Sequence, residues 1–412
     1  MSNSACKFCN TTLNQQFADL GTSPISNEYL DKKDILKMEP FYMLCAYVCE
    51  NCFLVQLPEI ETTKELFDEN YAYFSSYSES WLKHAKEYVE MMTSRFDIPN
   101  DALVVELASN DGYLLQYFHQ KKIEVLGIEP CKNVADAAAE KGIKSVVEFF
   151  GVDLAQKLAK ENKHADLLIG NNVLAHVPDI NDFVGGMKAI LKDDGIITME
   201  FPHLLRLIES NQFDTIYHEH YSYLSFVAVD KIFKHHGLTI FDIEELSTHG
   251  GSLRIFAKHT DDKSKEITAS VPEIQANEEE AGLLSLHGYQ GFQQELDKVK
   301  CELLKFLISA KENGKQVVGY GAPAKGNTLL NYCGVGPELL SYTVDRSPHK
   351  QNKLLPGTRI PIYTPEKILE TKADYVLILP WNLKDEIMGQ MDEIRSWSGK
   401  FVVPIPSVQI FE

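Results

Sequence analysis

The sequence predicts an α/β protein in three parts: a small N-terminal zinc-binding domain, a central doubly wound parallel sheet, and a smaller C-terminal α/β domain. Three observations predict it. Two Cys-x-x-Cys pairs, Cys6–Cys9 and Cys49–Cys52, stand at the start of the chain. From residue 102 apolar strands alternate with amphipathic helices, the pattern of a mostly parallel sheet. After a polar stretch at 274–313 the same alternation restarts at Lys315. A chain of 412 residues exceeds one typical core. The boundaries are expected at 1–75, 76–273 and 274–412.

Composition narrows the function. The net charge of −19 argues against a nucleic-acid partner, which needs a basic face. A small phosphorylated ligand needs only one or two local cations and stays allowed. No run reaches the roughly 18–20 apolar residues of a bilayer span. The first residues lack the basic and apolar regions of a secretory signal, so a cytoplasmic location is expected. In that compartment paired cysteines read as metal ligands rather than disulfides. Nothing in the sequence demands a dimer, and a monomer is expected.

The elements follow from periodicity. Residues 1–75 read as short strands and turns around the cysteines. Residues 80–92 carry apolar side chains at helical spacing and form a connecting helix. Strands are expected at 103–107, 124–128, 165–169 and 195–200, with helices at 113–120, 134–142 and 183–191. One or two polar helices bridge 274–313. Further strands are expected at 315–319, 340–344 and 375–379. A ligand of such a sheet belongs at the carboxyl ends of its strands.

Two Cys-x-x-Cys knuckles can supply the four thiolates of a closed, structural zinc site. Cys6, Cys9, Cys49 and Cys52 are the expected ligands, with Cys45 a competitor for one place. The loop Glu106-Leu-Ala-Ser-Asn-Asp-Gly112 follows a strand and opens a helix. It lacks the Gly-x-Gly-x-x-Gly that a dinucleotide's pyrophosphate needs. S-adenosylmethionine has no phosphate and suits a tighter, more polar loop. Glu106, Ala108, Asn110, Asp111 and Gly112 form that site. Glu129, ending the second strand, is placed to accept from ribose hydroxyls, and Asn171 closes the set.

Two further constellations remain. Tyr217-His-Glu-His-Tyr221 is histidine-rich, and His176 and the run Thr248-His-Gly-Gly251 lie on either side of it in sequence. His218 and His220 can be read as metal ligands or as a polar cluster. Acid–base chemistry is the preferred reading, because histidine titrates near neutrality. The loop Gly319-Tyr-Gly-Ala-Pro-Ala-Lys-Gly-Asn327 resembles a diphosphate cradle at a helix N-terminus. Lys325 and Asn327 sit in it, and Asp345 and Lys350 follow the next strand.

In this order the motifs resemble the S-adenosylmethionine-dependent sugar C-methyltransferases, which methylate nucleotide-linked 4-keto-deoxysugars; the D-tetronitrose C-3 methyltransferase type is among them. The motifs are the Cys-x-x-Cys domain, Glu106–Gly112, Ala175-His-Val-Pro178, Tyr217–His220, Gly319–Thr328 and Val344–Pro361. The resemblance implies a zinc domain, a Rossmann-like class I methyltransferase domain and a C-terminal α/β domain that holds the nucleotide sugar. It places the family's catalytic residues on Tyr217, Glu219, His220 and His176. It places an active-site tyrosine on Tyr73, with Tyr71 the alternative. Ala108 departs from the family's usual glycine. The mechanism expected from this resemblance makes His220 the base, polarised by Glu219. Tyr217 and His176 hold the substrate and the enolate oxygen. O- or N-methyl transfer to another small molecule, or a non-catalytic zinc-containing binding protein, are the competing readings.

Overall fold

The computed structural model describes residues 4–58 and 74–412. Its centre is a seven-stranded sheet. Numbered along the chain within this sheet, the strands are Leu103–Leu107, Glu124–Ile128, Ser145–Val146, Ala165–Asn171, Leu191–Pro202, Leu238–Leu246 and Ser252–His259. Their spatial order is 3-2-1-4-5-7-6. The first five are parallel, and Ser252–His259 runs antiparallel to both of its neighbours. The direction of winding reverses between strands 1 and 4, which is where such a sheet opens a ligand crevice. The expected strands at 103–107 and 124–128 are observed with those bounds, and that at 195–200 extends to Leu191–Pro202.

The hairpin 238–259 was not anticipated. Leu253, Ile255, Phe256 and Ala257 are all buried, so this strand shows little of the alternation that marks a half-exposed one. The expected bridge consists of the helices Ser270–Glu280 and Phe292–Glu312. The longer one buries Phe292, Leu296, Val299, Leu303, Leu307 and Ala310, steps of three and four residues that keep one stripe inward.

The C-terminal domain is a six-stranded sheet in the order Ile362–Tyr363, Thr343–Val344, Val317–Tyr320, Tyr375–Ile378, Lys400–Val403, Gln409–Phe411. The N-terminal sheet has three strands of its own, Gln15–Ser23, Tyr42–Val48 and Val55–Gln56, and a fourth, Ser222–Tyr223, from within the 76–273 span. Leu30–Asp31 pairs with Lys353–Leu354 of the C-terminal part. One apolar core joins Phe17, Leu44 and Val55 to Leu303, Leu329 and Leu377. Another joins Cys6, Cys49 and Cys52 to Leu168, Phe183 and Phe233. The three parts therefore share cores and strands. Among the described residues no helix is long and apolar enough to cross a membrane.

Candidate active site and metal centre

The two cysteine knuckles have the same local construction. Asn10 N–H donates to the Cys6 carbonyl (2.9 Å) and Phe53 N–H to the Cys49 carbonyl (3.0 Å). Asn10 and Phe53 both take the left-handed conformation that turns each knuckle back on itself. The result brings the sulfurs of Cys6, Cys9, Cys49 and Cys52 within 4.8 Å of one another. Cys6–Cys52 and Cys9–Cys49 lie at 3.5 Å. Tetrahedral zinc with Zn–S of about 2.3 Å separates its sulfurs by roughly 3.8 Å, so the four fit the ion. Gln56 Nε2 donates to Cys6 Sγ at 3.2 Å, and the Thr11 hydroxyl lies 3.3 Å from Cys9 Sγ. Cys45 is not in the cluster; it is buried, and burial pushes its thiol up to about 11.

At the switch point the loop after Leu107 is compressed. Ala108, Asn110 and Gly112 all have positive φ. Ser109 packs so closely that a Cβ on Gly127 would stand 2.4 Å from its Oγ. The αL conformation costs an L-residue about 1–2 kcal/mol, and glycine returns part of this through the unfolded chain. Ala108→Gly is therefore expected to raise unfolding free energy by roughly 0.5–1 kcal/mol. Denaturant melts check this, and a loss of stability contradicts it.

The crevice fits a polar nucleoside ligand. Glu106, 1% exposed, makes no standard hydrogen bond through either carboxylate oxygen, and Ser109 Oγ, Asp111 Oδ1 and Asn171 Oδ1 are likewise buried without partners. Such atoms are costly unless a ligand satisfies them. Burial raises the Glu106 carboxyl well above its ordinary range, and the Tyr113 hydroxyl only partly offsets this. Glu129 accepts from Asn110 N–H and Cys131 N–H, both at 2.9 Å, one on each oxygen. Each oxygen keeps a lone pair for a ribose hydroxyl. Ser75 N–H donates to Asn110 Oδ1 (2.9 Å), so the chain entering the central domain is tied to this loop. Tyr71 and Tyr73 lie outside the described residues.

Next to this crevice stand the histidines. His176 Nδ1–H donates to the Glu219 carbonyl and His220 Nδ1–H to the Thr215 carbonyl, both at 2.8 Å. The two rings meet edge to face at 4.5 Å, and Tyr217 lies tilted over His220 at 3.9 Å. Burial lowers His176 to about 4. Burial and the neighbouring His176 put His220 well below the usual range. Both rings are thus neutral at pH 7, with the lone pair on Nε2.

The expected pairing of Glu219 with His220 does not form. The Glu219 carboxylate does not polarise His220; both its oxygens accept from Asn27 Nδ2, at 3.0 and 2.8 Å. Burial raises this carboxyl to about 7. The group that orients His220 is the Thr215 carbonyl. His218 points elsewhere, its Nε2 3.2 Å from the Met43 carbonyl. Among the described residues the only metal-ready cluster is the four cysteines.

Trp81, Glu200 and Asn27 carry no site signal in the sequence, and His249 shows there only within the Thr248–Gly251 run. His249 has its Nε2 3.0 Å from Asn172 Nδ2 and, through burial, falls to about 4. Trp81 stacks on Tyr113 and His84 and meets His249 edge-on. Glu200 accepts from His84, Thr248 and Arg254. Burial pushes Glu200 up, but these partners outweigh it and hold the carboxylate at about 2. Asn27 comes from the N-terminal part. The Thr248–Gly251 run was visible but offered no partner in sequence.

The C-terminal residues reach the same place. Asn327 Nδ2 donates to the Ser26 carbonyl (2.6 Å) and Thr328 to the Ile216 carbonyl (3.2 Å). Asp345 accepts from Ala322 N–H (2.7 Å), and Lys350 and Tyr29 donate to the Ala322 carbonyl. Lys325 lies 4.6 Å over Trp381 and donates to Asn382 Oδ1 (2.8 Å).

The imidazoles set a pH signature. A depressed histidine contributes stability that is full above its unfolded value near 6.5 and is lost as pH falls toward about 4. Glu219 and Asp214, raised by burial to about 7 and about 6, act oppositely: their contribution is full below their unfolded values and lost as pH rises. His176→Gln removes one depressed histidine only. Between pH 7 and 4 the variant's stability relative to wild type is expected to rise by up to roughly 3 kcal/mol. Denaturant melts at the two pH values measure it; an unchanged difference contradicts the neutral buried ring.

This sheet order and this crevice of unpaired acceptors define a class I methyltransferase, here joined to a zinc domain. Residues 81–243 match a methyltransferase domain family, 6–67 a zinc binding domain family, and 247–406 a family described as a C-methyltransferase C-terminal domain. The C-methyltransferase NovU of Streptomyces niveus is 33% identical over 405 residues, 98% of this chain and 96% of that one. The chain belongs to the S-adenosylmethionine-dependent C-methyltransferase family. Among solved structures, a protein from Pyrococcus horikoshii shares 16% identity over 46% of this chain and 95% of its own, with a TM-score of 0.38. The magnesium protoporphyrin IX methyltransferase of Synechocystis, with bound S-adenosylmethionine, shares 15% over 43% and 78%, with a TM-score of 0.33.

Proposed function

We propose that this enzyme methylates a carbon next to the ketone of a nucleotide-linked 4-keto-deoxysugar, with C-3 as the position. The observation that carries the reading is the pair of neutral, oriented imidazoles beside the cofactor crevice. Carbon becomes nucleophilic only after a proton leaves from beside a carbonyl, and a neutral imidazole held in place can take that proton. S-adenosylmethionine supplies an electrophilic methyl group. Glu106, Ala108, Asn110, Asp111, Gly112, Glu129 and Asn171 would hold it.

His220 is the base in this reading. Its Nε2 takes the proton from the carbon next to the ketone, the C–H pair becomes part of a C=C bond, and the C=O pair moves onto oxygen. The C=C pair would then form the bond to the methyl carbon as that carbon's bond to sulfur breaks, its pair leaving with the sulfur, while a pair on oxygen restores the ketone. Tyr217 orients His220 and, with His176, holds the acceptor; Glu219 braces the 217–220 turn through Asn27. Asn327, Asp345 and Lys350 shape the loop that receives the nucleotide part.

The test compares two acceptors with the purified protein and S-adenosylmethionine: a nucleotide-linked 4-keto-6-deoxyhexose and the same compound after borohydride reduction. Turnover is expected only with the ketone. Equal methylation of the reduced compound moves the protein to the O-methyltransferase reading.

A further inference from the structure

We propose that Lys325 is the cation that receives the acceptor's ketone oxygen as negative charge develops on it, rather than a diphosphate ligand. The inference rests on the acceptor reading above. It starts from the two imidazoles, whose hydrogens are committed elsewhere. A neutral imidazole has one hydrogen, and those of His176 and His220 are already given to the carbonyls of Glu219 and Thr215. Neither ring can both accept the carbon-bound proton and donate to the oxygen. A donor placed in advance at that oxygen is worth about 10²–10³-fold in rate.

Trp381 holds Lys325 beside the segments that carry the histidines. Its indole N–H donates to Asp214 Oδ2 at 2.7 Å, and Asp214 immediately precedes Thr215, whose carbonyl orients His220. The far edge of the ring lies on Gly250, where a Cβ would stand 2.5 Å from it, next to His249. Trp381 is thus wedged between the two segments that carry His220 and His249, and the ammonium of Lys325 rests on its face. Of three ammonium hydrogens, one goes to Asn382. The field of Lys325 is felt by both imidazoles and helps keep them neutral.

The diphosphate role fits less well. The Ala322 amide that an anion would use is taken by the Asp345 carboxylate. The Ala322 carbonyl is taken by Tyr29 and Lys350.

The experiment uses the full chain with S-adenosylhomocysteine in deuterium oxide. The probe is a nucleotide-linked 4-keto-6-deoxyhexose, and proton NMR follows loss of the signal next to the ketone. Lys325→Gln and Lys325→Met are compared, the second keeping the aliphatic stem on Trp381; bound S-adenosylhomocysteine reports that each is folded. The expected result is exchange at saturation slowed at least 100-fold in both, with the sugar nucleotide's Kd changed less than threefold. Lys325→Arg, which keeps the charge, is expected to retain part of the rate. A Kd raised tenfold or more with saturated exchange unchanged overturns the proposal in favour of diphosphate binding. Exchange within threefold of wild type with unchanged Kd overturns it outright. Absence of exchange in the wild-type protein overturns the acceptor reading, and this assignment with it.

Discussion

His220→Asn is expected to slow deuterium exchange next to the acceptor's ketone by 100-fold or more while leaving S-adenosylhomocysteine binding unchanged. A positioned general base contributes about 10²–10⁴-fold. Asparagine keeps an N–H that can reach the Thr215 carbonyl, so the turn that His220 anchors through its 2.8 Å bond survives. What it lacks is the Nε2 lone pair. His176 is the alternative base, 4.5 Å away ring to ring. The two are separated by comparing His220→Asn with His176→Gln. Exchange persisting within threefold of wild type in His220→Asn removes His220 from the role, and its loss in His176→Gln alone transfers the role there.

Cys49→Ser is expected to release the zinc and to cost the whole molecule several kcal/mol, not the N-terminal part alone. Structural zinc contributes about 10–16 kcal/mol of apparent binding free energy in small zinc-finger peptides. A serine hydroxyl is a poor replacement for one of four thiolates. The effect spreads because Cys6, Cys49 and Cys52 pack in the same core as Leu168 and Phe183 of the methyltransferase domain. The strand Val55–Gln56, just after the second knuckle, pairs with Ser222–Tyr223, two residues beyond His220. Metal analysis is expected to fall from one zinc per chain to nearly none, with a lower midpoint and a single transition. A normal zinc content rejects the four-cysteine site. Zinc loss with an unchanged midpoint rejects the coupling to the central domain.

Much of this was legible in the sequence because the signals were local. The knuckles showed as Cys-x-x-Cys spacings, and the first two strands as apolar runs that end at a polar loop. The site was less legible because its partners are distant in the chain. Glu219 reads as the natural companion of His220, one residue away, yet neighbours in a turn point apart, and the carboxylate meets Asn27 instead. Thr215 orients His220 through its carbonyl, a group every residue has. Trp381 and Asp214 are 167 residues apart and nothing in either segment marks the other. Lys325 reads as a cation at a helix N-terminus; its place over Trp381, which packs between the 214 and 250 segments, has no mark in the sequence. The 238–259 hairpin escaped notice because full burial of its second strand erased the period of two.

The most direct measurement is the proton NMR spectrum of the product formed from S-adenosylmethionine and a nucleotide-linked 4-keto-6-deoxyhexose. A new methyl resonance on the carbon next to the ketone, with the proton of that carbon gone, is the predicted result. A methoxy resonance, with that proton still present, contradicts carbon methylation.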